Sequence, residues 1–212
     1  LGNKARPFLK LGVVTKKFKE ILMTTLAPSL SLRYAPRASA WTRDILLVFI
    51  GSLFVAALAQ IKISLPFTPV PITAQTFGVL LTGAALGGKR GAAALALYLA
   101  EGALGLPFFA GGARGMSILF GATGGYLIGF ILAAYATGKL AERGLERRVS
   151  TSVLPFLVGT ALIYLCGILW LALTLGSLTQ AIELGLLPFL LGDAIKIIAA
   201  ALTLPAAWKL AQ

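Results

Sequence analysis

The sequence predicts an all-α integral membrane protein with six transmembrane helices and both termini in the cytoplasm. Three observations carry that reading. Of the 212 residues 58% are hydrophobic and only 12% charged, with a mean hydropathy of +0.91, whereas an ordinary soluble domain is about one quarter charged. The apolar residues gather into runs of about 20, the length that carries a helix across roughly 30 Å of hydrocarbon. The cations are distributed unequally between alternate connections, as the positive-inside rule expects.

Residues 1–42 stand apart from the remainder, 43–212, which is read as one six-helix transmembrane domain. Lys4, Arg6, Lys10, Lys16, Lys17, Lys19, Arg33 and Arg37 are balanced there by a single acid, Glu20. Leu11, Val14, Phe18, Ile21 and Thr25 recur at helical spacing, which fits a basic amphipathic helix on an anionic leaflet. An acid-poor leader has the same composition, and both readings stay open.

Six spans follow, at 44–61, 72–88, 90–106, 122–140, 153–175 and 188–210, the second and third being the shortest. Lys89, Arg90, Lys139, Arg143, Arg147, Arg148 and Lys209 fall on the side of the basic N-terminal segment, whereas the opposite side has only Lys62 and Arg114. Cytoplasmic termini follow. The outer connections are then SLPFTPVP at 64–71, LPFFAGGARGMSILFG at 106–121 and GSLTQAIELGLLP at 176–188. The first two, rich in Pro, Gly and aromatics, read as shaped recognition loops on a rigid scaffold. The third has Leu178, Ile182 and Leu186 at the spacing of a short surface helix.

Several functions are excluded at this stage. The formal charge of +12 would suggest nucleic acid in a soluble protein, but these cations flank apolar runs and no base-reading motif accompanies them. The chain has no His and one Cys, Cys166. Histidine chemistry, internal disulfides and Cys/His metal clusters are therefore ruled out. GAALGGKR, residues 83–90, approaches the phosphate-loop pattern, yet Arg90 stands where a hydroxyl is needed and a helix precedes it instead of a strand. It reads as a tight turn, and no ATPase function attaches to it.

Small residues at four-residue spacing, among them Gly83, Gly87 and Gly91, and Gly121, Gly125 and Gly129, suit close helix packing in lipid. Ser52 and Ala56 on the first span form the stripe expected to dock a partner helix. The rarest features are charges inside apolar spans. An Asp or Lys near mid-bilayer costs roughly 2.5–3.5 kcal/mol, and LGDAIK puts Asp193 and Lys196 on one face of the last span. They are either a structural ion pair or a polar contact for a guest in a cavity open to the outside. Arg114, among Gly111, Gly112 and Gly115, suits a carboxylate. Glu101, at the outer end of the third span, pairs with Arg114 or Lys62 or lines the cavity. Tyr98, Tyr126 and Tyr164 either flank a ligand or mark core and interface.

LPFTPVPITAQTFGVLLTGAALGGKRG (65–91), YLAEGALGLPFFAGG (98–112), GATGGYLIGF (121–130) and LGDAIK (191–196), in this order, resemble the BioY family, the biotin-specific S-component of energy-coupling-factor transporters. The resemblance runs from about Trp41 to the C-terminus. It departs where GATGGY has Ala122 in place of the family's proline. It implies a multi-pass plasma-membrane protein, not an enzyme, that binds biotin tightly from outside and needs no cofactor. A transmembrane coupling subunit would dock on it, and two cytoplasmic ATPases would spend the ATP. Under this resemblance Asp193 accepts from a ureido N–H, Lys196 donates to the ligand while neutralising Asp193, and Arg114 receives the carboxylate, the two ends being interchangeable. Gln75 and Thr73 are further polar contacts, with Tyr126 packing on the ring. The alternatives are an S-component for another vitamin and a proton-coupled secondary transporter using Asp193 or Glu101.

Overall fold

The computed structural model describes residues 25–211, and the expected stripe of Leu11, Val14, Phe18 and Ile21 lies outside them. Helix α1, Leu26–Tyr34, is followed by α2, Ala40–Ala59. Ser39 caps α2 by accepting from the Thr42 amide at 3.1 Å. This satisfies one of the amides that a helix start leaves unpaired. A two-stranded antiparallel hairpin comes next, β1 at Lys62–Ile63 and β2 at Ile72–Thr73, with Lys62 opposite Thr73. Helices α3, Gln75–Leu86, and α4, Gly88–Ala103, lead to the glycine loop and the short α5, Met116–Phe120. The chain ends in α6, Gly124–Ala141; α7, Val149–Leu175; α8, Leu178–Gly185; and α9, Leu190–Ala211.

The molecule is mostly helical, and four helical runs are long and apolar enough to cross a membrane: Ala40–Ala59, Gly124–Ala141, Val149–Leu175 and Leu178–Leu210. The span expected at 72–88 is shorter in fact. Ile72 and Thr73 are taken up by the hairpin, which leaves α3 with 12 residues, about 18 Å of helix. Helix α4 has 16 residues and carries Lys89, Arg90 and Glu101 near its ends. The expected surface helix at 176–188 is α8, with Ser177 as its cap.

Two apolar clusters fill the bundle. In one, Val79, Tyr98, Phe109, Phe130 and Ile163 are buried together. In the other, on a different face of α3, Leu80, Leu81, Phe156, Ile197 and Leu204 are joined by Leu26 of α1. The small-residue stripes are consumed within this packing. A Cβ added at Gly83 would lie 2.5 Å from the Ala134 carbonyl oxygen and 2.8 Å from the Ala134 Cα, so α3 and α6 touch backbone to backbone. Dispersion at such close approach is what holds helices together where lipid removes the hydrophobic drive.

Ser52 and Ala56 are consumed in the same way, being 0% and 5% exposed. The docking role expected for them is corrected accordingly: they face the bundle, and α2 turns Ile45, Leu46, Phe49, Ile50, Leu53 and Phe54 outward. The GAALGGKR turn also explains itself. Gly87 adopts φ +86° between α3 and α4, a region open to glycine. The Gly88 amide donates to Glu142 Oε1 at 2.9 Å, while Lys139 pairs with Glu142 at 2.7 Å. A carboxylate from α6 occupies the helix start where a phosphate would have to sit.

Glu146, between α6 and α7, is buried with Arg147 Nε 3.8 Å from its Oε1, and the Arg147 guanidinium lies 4.7 Å from the Trp208 ring centre. Burial pushes the Glu146 carboxyl above the ordinary carboxylate range, opposed by its own backbone amide, Arg147 and Trp208.

Two outcomes follow. Gly83→Ala is expected to destabilise the protein by about 1–3 kcal/mol through overpacking, whereas Gly192→Ala, with nothing within 4 Å, is expected to leave stability unchanged or raise it by about 0.5–1 kcal/mol; thermal unfolding in detergent measures both. Because the folded state holds the Glu146 proton more tightly than the unfolded chain, this residue's contribution is complete at acid pH and is lost as pH rises through its raised value. Glu146→Gln should flatten the dependence of melting temperature on pH in that window.

Candidate functional site

A cavity of about 230 Å³ opens at the hairpin end, between the hairpin, the glycine loop and helices α3, α6, α7 and α9. It is somewhat smaller than the roughly 300–1,000 Å³ of typical ligand sites and suits a compact guest. Its wall is largely apolar, with Val70, Phe109, Leu127, Phe130, Ile163 and Phe189, and one side of it carries a polar network.

That side is built around Asp193. The carboxylate stands in the first turn of α9, where the helix dipole favours negative charge. It is only 7% exposed. Lys196 Nζ approaches Oδ1 at 2.8 Å and also donates to Thr76 Oγ1 at 3.0 Å. The Thr76 hydroxyl in turn donates to Asp193 Oδ1 at 3.3 Å, and the Tyr164 hydroxyl donates to Oδ2. Helices α3, α7 and α9 thus converge on one carboxylate.

The arrangement leaves defined capacity toward the cavity. A carboxylate oxygen has two acceptor positions and an ammonium three donors, so Oδ2 can accept one more N–H and Lys196 can donate once more. Side by side, these are a hydrogen-bond acceptor and donor matched to a group that itself presents an N–H beside a carbonyl.

Thr73, Gln75 and Tyr126 also line the cavity, and each is braced from behind. Thr73 Oγ1 donates to Gln75 Oε1 at 3.0 Å. The Gln75 amide nitrogen donates to the Tyr98 hydroxyl, which donates to the Phe108 carbonyl at 3.1 Å. The Tyr126 hydroxyl donates to the Gly185 carbonyl at 2.8 Å, tying α6 to the end of α8. Tyr98 is buried off the cavity wall and belongs to the core.

Two expected site residues are placed elsewhere. Arg114 is exposed, and only its neighbour Ala113 reaches the wall. Glu101 accepts from the Ser52 hydroxyl of α2, a partner that sequence alone did not suggest, and is absent from the wall. Thr76 and Lys62 were missed as wall residues. Thr76 could have been found: PITAQT sets three hydroxyl or amide side chains in and just before the opening turn of a largely apolar helix. Among the described residues no group of three or more His, Cys, Asp or Glu is placed to hold a metal.

The model of the BioY family matches residues 23–212. The chain belongs to the BioY family. The match starts ahead of Trp41, so α1 lies inside the family's pattern, earlier than the motifs alone suggest. Among curated relatives, the biotin transporter BioY of Rhizobium etli is 40% identical over 169 residues, covering 76% of this chain and 90% of the relative. The biotin transporter BioY of Thermotoga maritima is 41% identical over 140 residues, covering 66% and 82%. The crystal structure of the S-component for biotin from an ECF-type ABC transporter superposes with a TM-score of 0.73 at 25% identity, over 80% of this chain and 92% of that one. BioY membership makes this a transporter-family protein, not an enzyme, with the Asp193 cavity at the hairpin end of its fold.

Thr76→Val keeps the volume and removes the hydroxyl that joins Lys196 to Asp193. It is expected to cost about 1–3 kcal/mol, the penalty of leaving a buried polar group short of a partner, while Thr76→Ser restores stability. Unfolding in detergent distinguishes the two.

Proposed function

We propose that this chain binds biotin from the outer side of the plasma membrane as the substrate-specific component of an energy-coupling-factor transporter. The observation that carries the reading is the paired acceptor and donor at Asp193 and Lys196, opening into an apolar cavity in a BioY-family fold. Biotin's ureido group presents N–H donors beside a carbonyl, and its thioether ring is apolar. The ureido end meets Asp193 Oδ2 and the third N–H of Lys196, and the ring packs among Tyr126, Phe130 and Ile163.

In this reading all six long helices, α2, α3, α4, α6, α7 and α9, traverse the bilayer. The short α3 is extended to the surface by the hairpin that precedes it. Both termini are cytoplasmic, because the basic residues of 1–42 and Lys89, Arg90, Lys139, Arg143, Arg147, Arg148 and Lys209 belong on that side. Residues 43–212 are the binding domain and 1–42 its basic approach to the anionic leaflet. A transmembrane coupling subunit and two cytoplasmic ATPases supply the energy, and the chain itself holds no cofactor. Its docking face for the coupling subunit is not the Ser52 and Ala56 stripe, which is buried.

Asp193→Asn is expected to weaken biotin binding by about ten- to a hundredfold, corresponding to the 1.5–3 kcal/mol of a hydrogen bond to a charged group. Titration of the purified protein with biotin measures this. Undiminished affinity removes Asp193 from the site.

A further inference from the structure

Charge on the cavity wall does not balance. The wall has three charged side chains, Asp193, Lys196 and Lys62. The first two neutralise each other at 2.8 Å, and the tyrosines beside them are neutral. Lys62 has neither an ion-pair nor a hydrogen-bond partner among the described residues. The wall therefore has one uncompensated positive charge, set apart from the Asp193 network on a different element, the hairpin strand β1.

The side chain of Lys62 is also given a path. Gly111 of the glycine loop adopts φ +66°, and a Cβ there would lie 2.8 Å from Lys62 Cδ and 3.7 Å from its Nζ. The absent side chain lets the lysine stem lie across the loop. On the other strand Thr73, the register partner of Lys62, also reaches the wall. The hairpin thus presents a cation on a flexible four-carbon stem at the water-reachable rim, in contact with the loop that bounds the cavity. Arg114, the other cation of that side, is off the wall.

We infer that Lys62 recognises the carboxylate of the ligand, so that biotin lies with its ureido end at Asp193 and its acid at the hairpin. This rests on the biotin reading above and orients it. The apolar wall between the two polar ends, with Val70, Phe109 and Leu127, accommodates the ring and the aliphatic chain. A neutral guest would leave the Lys62 charge uncompensated, whereas a monoanion cancels it. The contact is at the rim, so it is sensitive to salt, unlike the buried Asp193 network.

The experiment is a titration of the purified protein with biotin and with biotin methyl ester, whose tail is neutral. The unaltered protein is expected to prefer biotin over the ester by about tenfold, as a charge-assisted hydrogen bond implies, and this preference should shrink in high salt. Lys62→Met should lower biotin affinity to that of the ester and leave ester affinity unchanged, which also shows that the variant is folded. Lys62→Arg should restore the preference, and Arg114→Gln should leave it intact. Biotin binding with an unchanged preference in Lys62→Met overturns the Lys62 assignment alone. No biotin binding by the unaltered protein overturns the biotin reading and this inference with it.

Discussion

A carboxylate inside an apolar helical bundle persists only if its charge is met on every side. Asp193 is met by Lys196, Thr76 and Tyr164, which bring three helices to a point. A buried pair is no better for stability than apolar residues of the same volume, and removing one partner is severely destabilising. The packing of α3, α7 and α9 at the hairpin end therefore has to keep the network whole. The cavity beside it exists because these side chains bond to one another and leave the space open.

That space is also set by where the backbones touch. Gly83 brings α3 against α6, and Gly129 lies close to Ile163 and Cys166 of α7. Close approach of α6 to α3 and α7 leaves Tyr126, Leu127 and Phe130 as cavity-lining residues between them. A Cβ at Gly185 would lie 2.7 Å from Leu171 and would intrude on the Tyr126 hydroxyl, so the end of α8 must be glycine for Tyr126 to brace it. Packing glycines and cavity-lining aromatics are two consequences of one arrangement.

Much of this was legible in the sequence, and the exceptions have physical causes. Helical runs can be read from hydropathy because lipid forces backbone groups to pair within a segment. Asp193 and Lys196 are legible because charge is rare in such runs. Residues 72–73 were misread as helix since Ile and Thr suit a span and a strand alike, and only pairing with Lys62 and Ile63 decides between them. Arg114 was misjudged because glycines around a cation show that a loop can fold back without showing which residue then faces inward; Ala113 does. Ser52 was misjudged for a related reason. A small residue on an apolar helix suits an internal or an external neighbour equally, and Glu101 of α4, its hydrogen-bond partner, settles it as internal.

The network also determines how discrimination works. Asp193 already has its donors, so a guest N–H adds a bond at the remaining position of Oδ2 without having to break one. A guest without such an N–H would expel water from the same place and leave Oδ2 and the third Lys196 donor unmet. Each unmet group costs about 1–3 kcal/mol, and a site built around buried polar groups rejects an analogue lacking the matching group far more strongly than an apolar pocket rejects a misfit of one methylene. Rejection of such guests therefore arises at the Asp193 end, where the network is largely buried. The exposed Lys62 end, screened by water and salt, contributes attraction for charge with less power to exclude.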